Sequence, residues 1–146
     1  MSIGIRHAAA EDLPRLLELY RLLDVGPEPV LGSEQARRVF DALTADPDHA
    51  SYVAESGEGV VGTFALIFIG GLAHGARSFG LVEDVVVATQ ARGQGIGKAM
   101  MRFAMQRCAE RRCYKLALSS HLRRDEAHRF YEGLGFAKHG YSFLVA

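Results

Sequence analysis

The sequence predicts an α+β fold, and three observations carry that prediction. Short stretches at Tyr52–Glu55, Val60–Ile69 and Ser78–Ala88, separated by glycine-containing turns, have the pattern of neighbouring strands. Apolar residues recur with helical spacing over Ala9–Leu23 and Ile96–Arg111. The second of these helices leaves a glycine-rich turn that follows a strand, so one strand–loop–helix–strand unit sits among antiparallel hairpins.

Ile3–His7 reads as a short strand. Ala9–Leu23 is expected as a helix with Leu13, Leu16, Leu17, Tyr20 and Leu23 inward. Pro14 lies in its first turn, where a missing N–H does little harm. Asp24–Gly32 is a Gly- and Pro-containing loop, and Ser33 can cap a second helix to about Ala45. Tyr52–Glu55 and Val60–Ile69 form a hairpin through Ser56–Gly59. Gly70–Arg77 is a second turn, and Ser78–Ala88 is a strand whose Val85-Val86-Val87 run suggests cover on both faces. Ile96–Arg111 turns Ile96, Met100, Phe103, Ala104 and Cys108 inward. Tyr114–Ser119 is a strand, Asp125–Leu134 a helix stopped by Gly135, and Phe136–Val145 a last strand. The order βααβββαβαβ makes one domain of residues 1–146.

Composition narrows the function. Basic and acidic residues balance at 17 each, which argues against a nucleic-acid protein held by bulk charge. No apolar run approaches membrane-spanning length, and Met1–Arg6 lacks the pattern of a signal peptide. Cys108 and Cys113 have neither C-x-x-C nor framework spacing, so they read as reduced thiols of a cytoplasmic protein. The histidines show no H-E-x-x-H pattern, and no metal site is expected.

The most informative segment is Arg92-Gly93-Gln94-Gly95-Ile96-Gly97-Lys98. Glycines let the chain turn tightly and bring amide groups close to a ligand. The first N–H groups of the following helix have no internal partner, and the helix dipole adds partial positive charge there. Together these suit a phosphate, with Arg92 and Lys98 adding formal charge. Walker A spacing fails, because Arg92 and Ala99 stand where Gly and Ser/Thr are required. The dinucleotide G-x-G-x-x-G fails at Lys98. What fits is R-x-x-G-x-G, as Arg92, Gly95 and Gly97.

That loop resembles the coenzyme A signature of the GCN5-related N-acetyltransferase (GNAT) superfamily, Q/R-x-x-G-x-G/A. Ala127-His128-Arg129-Phe130-Tyr131-Glu132-Gly133-Leu134-Gly135-Phe136 is similar to a second signature of that superfamily, A-x-x-F-Y-E-x-x-G-F. The resemblance follows the whole chain in element order and is tight over Val82–Phe136. It implies a GNAT fold: a mixed, mostly antiparallel sheet of six to seven strands with about four helices, splayed at the coenzyme site. It implies acetyl-CoA as cosubstrate, its pyrophosphate wrapped by Gly93, Gln94, Gly95, Ile96 and Gly97. It also implies that the pantetheine pairs with backbone along Val85, Val86 and Val87. Arg124 stands where the superfamily often has a coenzyme-binding Asn, the one clear departure.

Acetyl transfer to an amine needs the free base, roughly one molecule in a thousand for a lysine-like amine at neutral pH. A proton acceptor, and an acid for the leaving thiolate, are therefore required. The resemblance implies that Tyr131 is the acid; periodicity alone would make it a core aromatic. Glu83 and Asp84 interrupt an apolar strand, and simple alternation sets them on opposite faces. Burying a charge there is costly, so a base or an ammonium anchor is expected, Glu83 first; a structural ion pair is the competing reading. The Glu83–Val87 stretch resembles glucosamine-phosphate N-acetyltransferases of the superfamily, and Arg124–Tyr131 resembles its aminoalkylphosphonate N-acetyltransferases. Both suggest a small primary amine carrying an anion, with Arg77, Arg123 or Arg124 as anion partner. A protein N-terminus or lysine as acceptor, and a CoA-binding module without turnover, remain alternatives. The apolar last strand suggests a homodimer.

Overall fold

The computed structural model describes residues 2–23, 29 and 31–146. Its elements run β1 (Gly4–His7), α1 (Leu13–Tyr20), α2 (Ser33–Thr44), β2 (His49–Ser56), β3 (Gly59–Ile69), β4 (Phe79–Val87), α3 (Ile96–Glu110), β5 (Leu116–Ala117) and α4 (Asp125–Gly133). The strands form one five-stranded sheet in the order β1-β2-β3-β4-β5. The first three pairings are antiparallel and β4–β5 is parallel. This is the expected α+β mixed sheet with four helices among the described residues, but with five strands rather than six or seven.

The missing strand is Phe136–Val145, which forms no strand in the structure. Phe136 N donates to Tyr131 O at 3.1 Å and is spent closing the end of α4. Beyond it, Tyr141, Phe143, Leu144 and Val145 are 81–98% exposed. A strand exists only by pairing with an edge, and the two residues of β5 offer very little one.

Helix α3 builds the core. Ile96, Met100, Met101, Ala104 and Cys108 are buried, and they meet Tyr52, Phe64, Leu66 and Val82 of the sheet. Two strand glycines let the helix settle this closely. A Cβ at Gly62 would stand 3.1 Å from side-chain atoms of Ile96 and Met100, and one at Gly80 would collide with Cys108 Sγ.

Helix α1 lies against β3 and β4, with Leu16 and Leu19 fully buried rather than the expected Leu17. Within α1 the residues three and four apart, Leu16, Leu19 and Tyr20, share the inward face, and Leu17 lies at its margin, half-buried. Gly32, not Ser33, is the cap residue of α2; Ser33 is its first helical residue. Of the loop expected at Asp24–Gly32, residues 24–28 and 30 lie outside the described residues.

Arg6 ties the start of the chain together. Its Nη1 and Nη2 donate to the two oxygens of Asp12 at 2.7 and 2.9 Å, and Nη2 also reaches Glu55 Oε1 at 2.7 Å. Ala9 N donates to Asp12 Oδ2 at 2.7 Å. The Arg6 bonds, helped by the Ala9 N–H, hold the Asp12 carboxyl below its ordinary value despite burial. Since the folded value lies below the unfolded one, the stabilisation is complete above about pH 4 and lost as pH falls through the folded value. Asp12→Asn is expected to cost about 1–2 kcal/mol at pH 7, a figure discounted for the half-exposed Arg6. Urea unfolding checks this, and the gap between wild type and variant should close as the pH is lowered towards 2.

Candidate active site

The glycine-rich loop has the geometry of an anion cradle. Gly93 and Gly95 have φ of +79° and +82°, the left-handed region that side chains disfavour. Gly95 is the cap residue of α3, and the first helical bond runs from Ala99 N to Gly95 O at 3.0 Å. Among the described residues, no amide of Gly93, Gln94, Gly95, Ile96, Gly97 or Lys98 donates a bond of ordinary geometry to a carbonyl. Six N–H groups are thus free at the positive end of a 15-residue helix. The side chains of Arg92 and Lys98 are exposed and form no ion pair among the described residues. Gly97 has a different purpose: a Cβ there would stand 3.3 Å from the ring of Phe130, so this glycine lets α4 close against the first turn of α3.

The strand leading into the loop has an open edge. Strand β5 pairs with β4 only at Gly80↔Leu116 and Leu81↔Ala117, while β4 continues to Val87. On its other side β4 stays paired with β3 as far as Val87. The edge of residues 82–87 that faces away from β3 therefore carries no strand. Val86 is buried, and Val85 and Val87 are half-buried. Past the end of β5, Ser120 Oγ is buried without a hydrogen-bond partner.

A bulge on β4 corrects the sequence-based placement of the two carboxylates. Ala65 pairs with Glu83 but Thr63 pairs with Val86, so β4 has one residue too many there. Asp84 takes it up with φ +53°. Simple alternation does not hold across the bulge, and both residues are exposed rather than buried. Neither forms a hydrogen bond or ion pair among the described residues, so the structural ion-pair reading finds no partner. Partial desolvation, and then the charge of Asp84, raise the Glu83 pKa.

The structure adds two residues that chain order hid. Tyr20, at the end of α1, is half-buried; burial and then the negative charge of Asp84 hold its phenol protonated, and the Thr63 hydroxyl acts against them. Thr63 is fully buried in β3 and donates Oγ1 to Tyr52 O at 2.8 Å. Only the packing of α1 over the bulge gathers Tyr20, Thr63 and Asp84, so no local pattern could reveal them.

Tyr131 is half-buried on α4, edge-on to Phe130 and Phe136 at centroid distances of 5.2 and 5.7 Å. Burial raises its pKa, with Arg124 acting against it. Arg124 is the cap residue of α4. His128 donates Nε2 to His121 O at 2.9 Å and fastens the turn before α4. Arg77 is not brought to the site: it sits with His74 and Tyr114 at the start of β4, away from the bulge and the loop. Among the described residues no three His, Cys, Asp or Glu groups converge as a metal site needs. No helix described is long and apolar enough to cross a membrane.

The model of the acetyltransferase (GNAT) family matches residues 14–136, most of the chain and every part of this site. The chain belongs to the GNAT acetyltransferase family. It is an acetyl-CoA-dependent N-acetyltransferase, and acetyl-CoA is the acetyl donor in this family. A putative acetyltransferase from Agrobacterium tumefaciens superposes with a TM-score of 0.91 at 33% identity, covering 98% of this chain and 99% of that one. Glucosamine 6-phosphate N-acetyltransferase of Trypanosoma brucei brucei is 30% identical over 95% of this chain and 92% of its own length. Aminoalkylphosphonate N-acetyltransferase of Salmonella typhimurium is 30% identical over 97% and 90%.

In this acetyltransferase a side chain at Gly95 would force an ordinary residue into the left-handed region, a strain of about 1–2 kcal/mol. Gly95→Ala is expected to relax the loop out of that geometry and weaken CoA binding about tenfold in calorimetry, while strain that is retained lowers stability by no more than about 1–2 kcal/mol.

Proposed function

We propose that the whole chain, residues 1–146, is one enzyme domain that acetylates a small primary amine carrying a phosphate or phosphonate. The observation that carries the reading is the unpartnered pair Glu83 and Asp84, set on a bulge of the strand whose open edge runs into the free amides of the loop. In this reading the amides of residues 93–98 hold the pyrophosphate, with Arg92, Lys98 and Arg124 as countercharges. The open edge at Val85–Val87 pairs with the amides of the pantetheine. Acetyl-CoA supplies an activated thioester when bound.

Glu83 takes the proton of the amine. Partial desolvation, and then the like charge of its neighbour Asp84, disfavour the ionised form and raise the basicity of Glu83. Tyr131 stays protonated because it is half-buried, which suits an acid for the leaving thiolate. The names of the relatives support an anion-bearing acceptor, and the guanidinium of Arg123 before α4 matches such an anion. Free Cys108 and Cys113 suit a reducing compartment such as the cytoplasm. The exposed apolar residues at Tyr141–Val145 support a homodimer.

A base must be ionised to act, so kcat/KM should fall as pH drops through the Glu83 value. Removing the like charge in Asp84→Asn lowers that value, and the acidic limb should move to lower pH. In Glu83→Gln the limb should vanish with most of the activity, about 100-fold or more. A limb that stays in place in both variants puts the base elsewhere.

Tyr131→Phe should reduce kcat about 100-fold while the acetyl-CoA Kd stays within about twofold. Unchanged turnover would exclude the acid role.

Thiol release should be about 10- to 100-fold more efficient with glucosamine 6-phosphate or an aminoalkylphosphonate than with the matching amine lacking the anion. Equal rates would remove the anion from the substrate while leaving acetyl transfer in place.

A further inference from the structure

A cavity of about 310 Å³ opens between α2, the start of β2 and the last turn of α3, lined by Phe40, His49, Tyr52, Phe68, Arg107 and Arg111. It is remote from the phosphate loop. His49 pairs with Ile67, which pairs with Leu81, so the cavity lies level with the beginning of β4. From Leu81 to Val87 the strand runs on for roughly 20 Å before it reaches the phosphate loop. Helix α3 makes the same point: the loop is at its N-terminus, Arg107 and Arg111 at its C-terminus.

The lining has a defined chemistry. Tyr52 and Phe68 are 2% and 8% exposed, and together with Phe40 they supply an aromatic wall. Arg111 lies flat over the Phe68 ring, its Cζ 4.0 Å from the centroid, held by Asp48 Oδ1 at 2.8 Å from Nη2. Arg107 uses Nη1 on Glu110 Oε2 at 2.7 Å. A guanidinium has five N–H donors, so each arginine is fixed in place with donors to spare. His49 Nδ1 is buried with no hydrogen-bond partner among the described residues, which a folded protein rarely tolerates. The acetyl-transfer chemistry uses none of these groups.

The lining sets two guanidiniums against one carboxylate, Asp46, and a cleft of a few hundred Å³ that mixes apolar walls with a few convergent polar groups is the usual form of a small-molecule site. The wall asks for a flat ring, the arginines for an anion at the mouth, and His49 for one polar atom inside. We propose that this cavity binds a small aromatic anion, separately from acetyl-CoA and the acceptor amine. Its carboxylate or phosphate monoester group meets Arg107 and Arg111, and its ring lies against Tyr52, Phe68 and Phe40.

The test titrates the full chain, saturated with CoA, with benzoate, phenyl phosphate and neutral benzyl alcohol, read by amide chemical shifts. At least one anion should bind saturably, shift the amides of His49–Tyr52 and Arg107–Arg111, and bind about tenfold tighter than benzyl alcohol. The two anions separate carboxylate from phosphate recognition. Arg107→Gln changes only a half-exposed side chain, so it should keep the wild-type melting temperature while weakening the anion at least about fivefold. His49→Phe, which fills the interior and removes Nδ1, should abolish binding. Absence of saturation, equal binding of benzyl alcohol, or equal binding by Arg107→Gln would each overturn the assignment.

Discussion

The seat of α3 on the sheet is the constraint from which the rest follows. Gly62 and Gly80 remove the side chains that would hold the helix off, and Ile96, Met100, Met101 and Ala104 fill the space with buried apolar surface. Burial on this scale, worth several kcal/mol for a few large side chains, orients the helix. It therefore also aims the free amides at its first turn. An anion site made of backbone has no other means of holding its position: the amides are as rigid as the helix they begin.

The candidate active site lies where sheet pairing stops. Strands β4 and β5 part after Leu81 and Ala117, and the backbone edge left open on β4 ends at the amide-lined loop. On the opposite edge β4 stays paired with β3, but at the cost of a bulge that puts Asp84 in the left-handed region. One strand thus carries an unpaired edge, a strained residue and two unpartnered carboxylates. Strain of this kind persists only where the surroundings over-determine it, and here the β3 ladder on both sides of the bulge does so. Gly97 completes the arrangement by letting Phe130 approach, which brings α4 and its Tyr131 against the same corner.

Much of this was legible from local pattern. The strand before Arg92, the glycines and the helix after Lys98 are contiguous, so their geometry follows from residue types over about a dozen positions. The α3 strip was readable for the same reason, and Met101 was missed only because the buried strip is wider than one row. The α1 strip was readable in the same way except at its margin, where Leu19 is buried and Leu17 only half-buried. The carboxylates were singled out as an interruption of an apolar run, but both are exposed rather than buried, and the bulge that carries them depends on the partner strand. The last strand was expected from its apolar residues, yet apolar residues do not supply the edge that a strand needs.

The sequence by itself determined the α+β class, the glycine-rich turn into α3 and the interruption of an apolar strand by Glu83 and Asp84, because these depend on residue type and short-range backbone geometry. The tertiary structure alone decided where β4 loses its partner, how the bulge presents Glu83 and Asp84, and that Tyr20 and Thr63 stand beside them. It alone also made the cavity at the far end of α3. Those features depend on contacts between residues far apart in the chain, which no local pattern records.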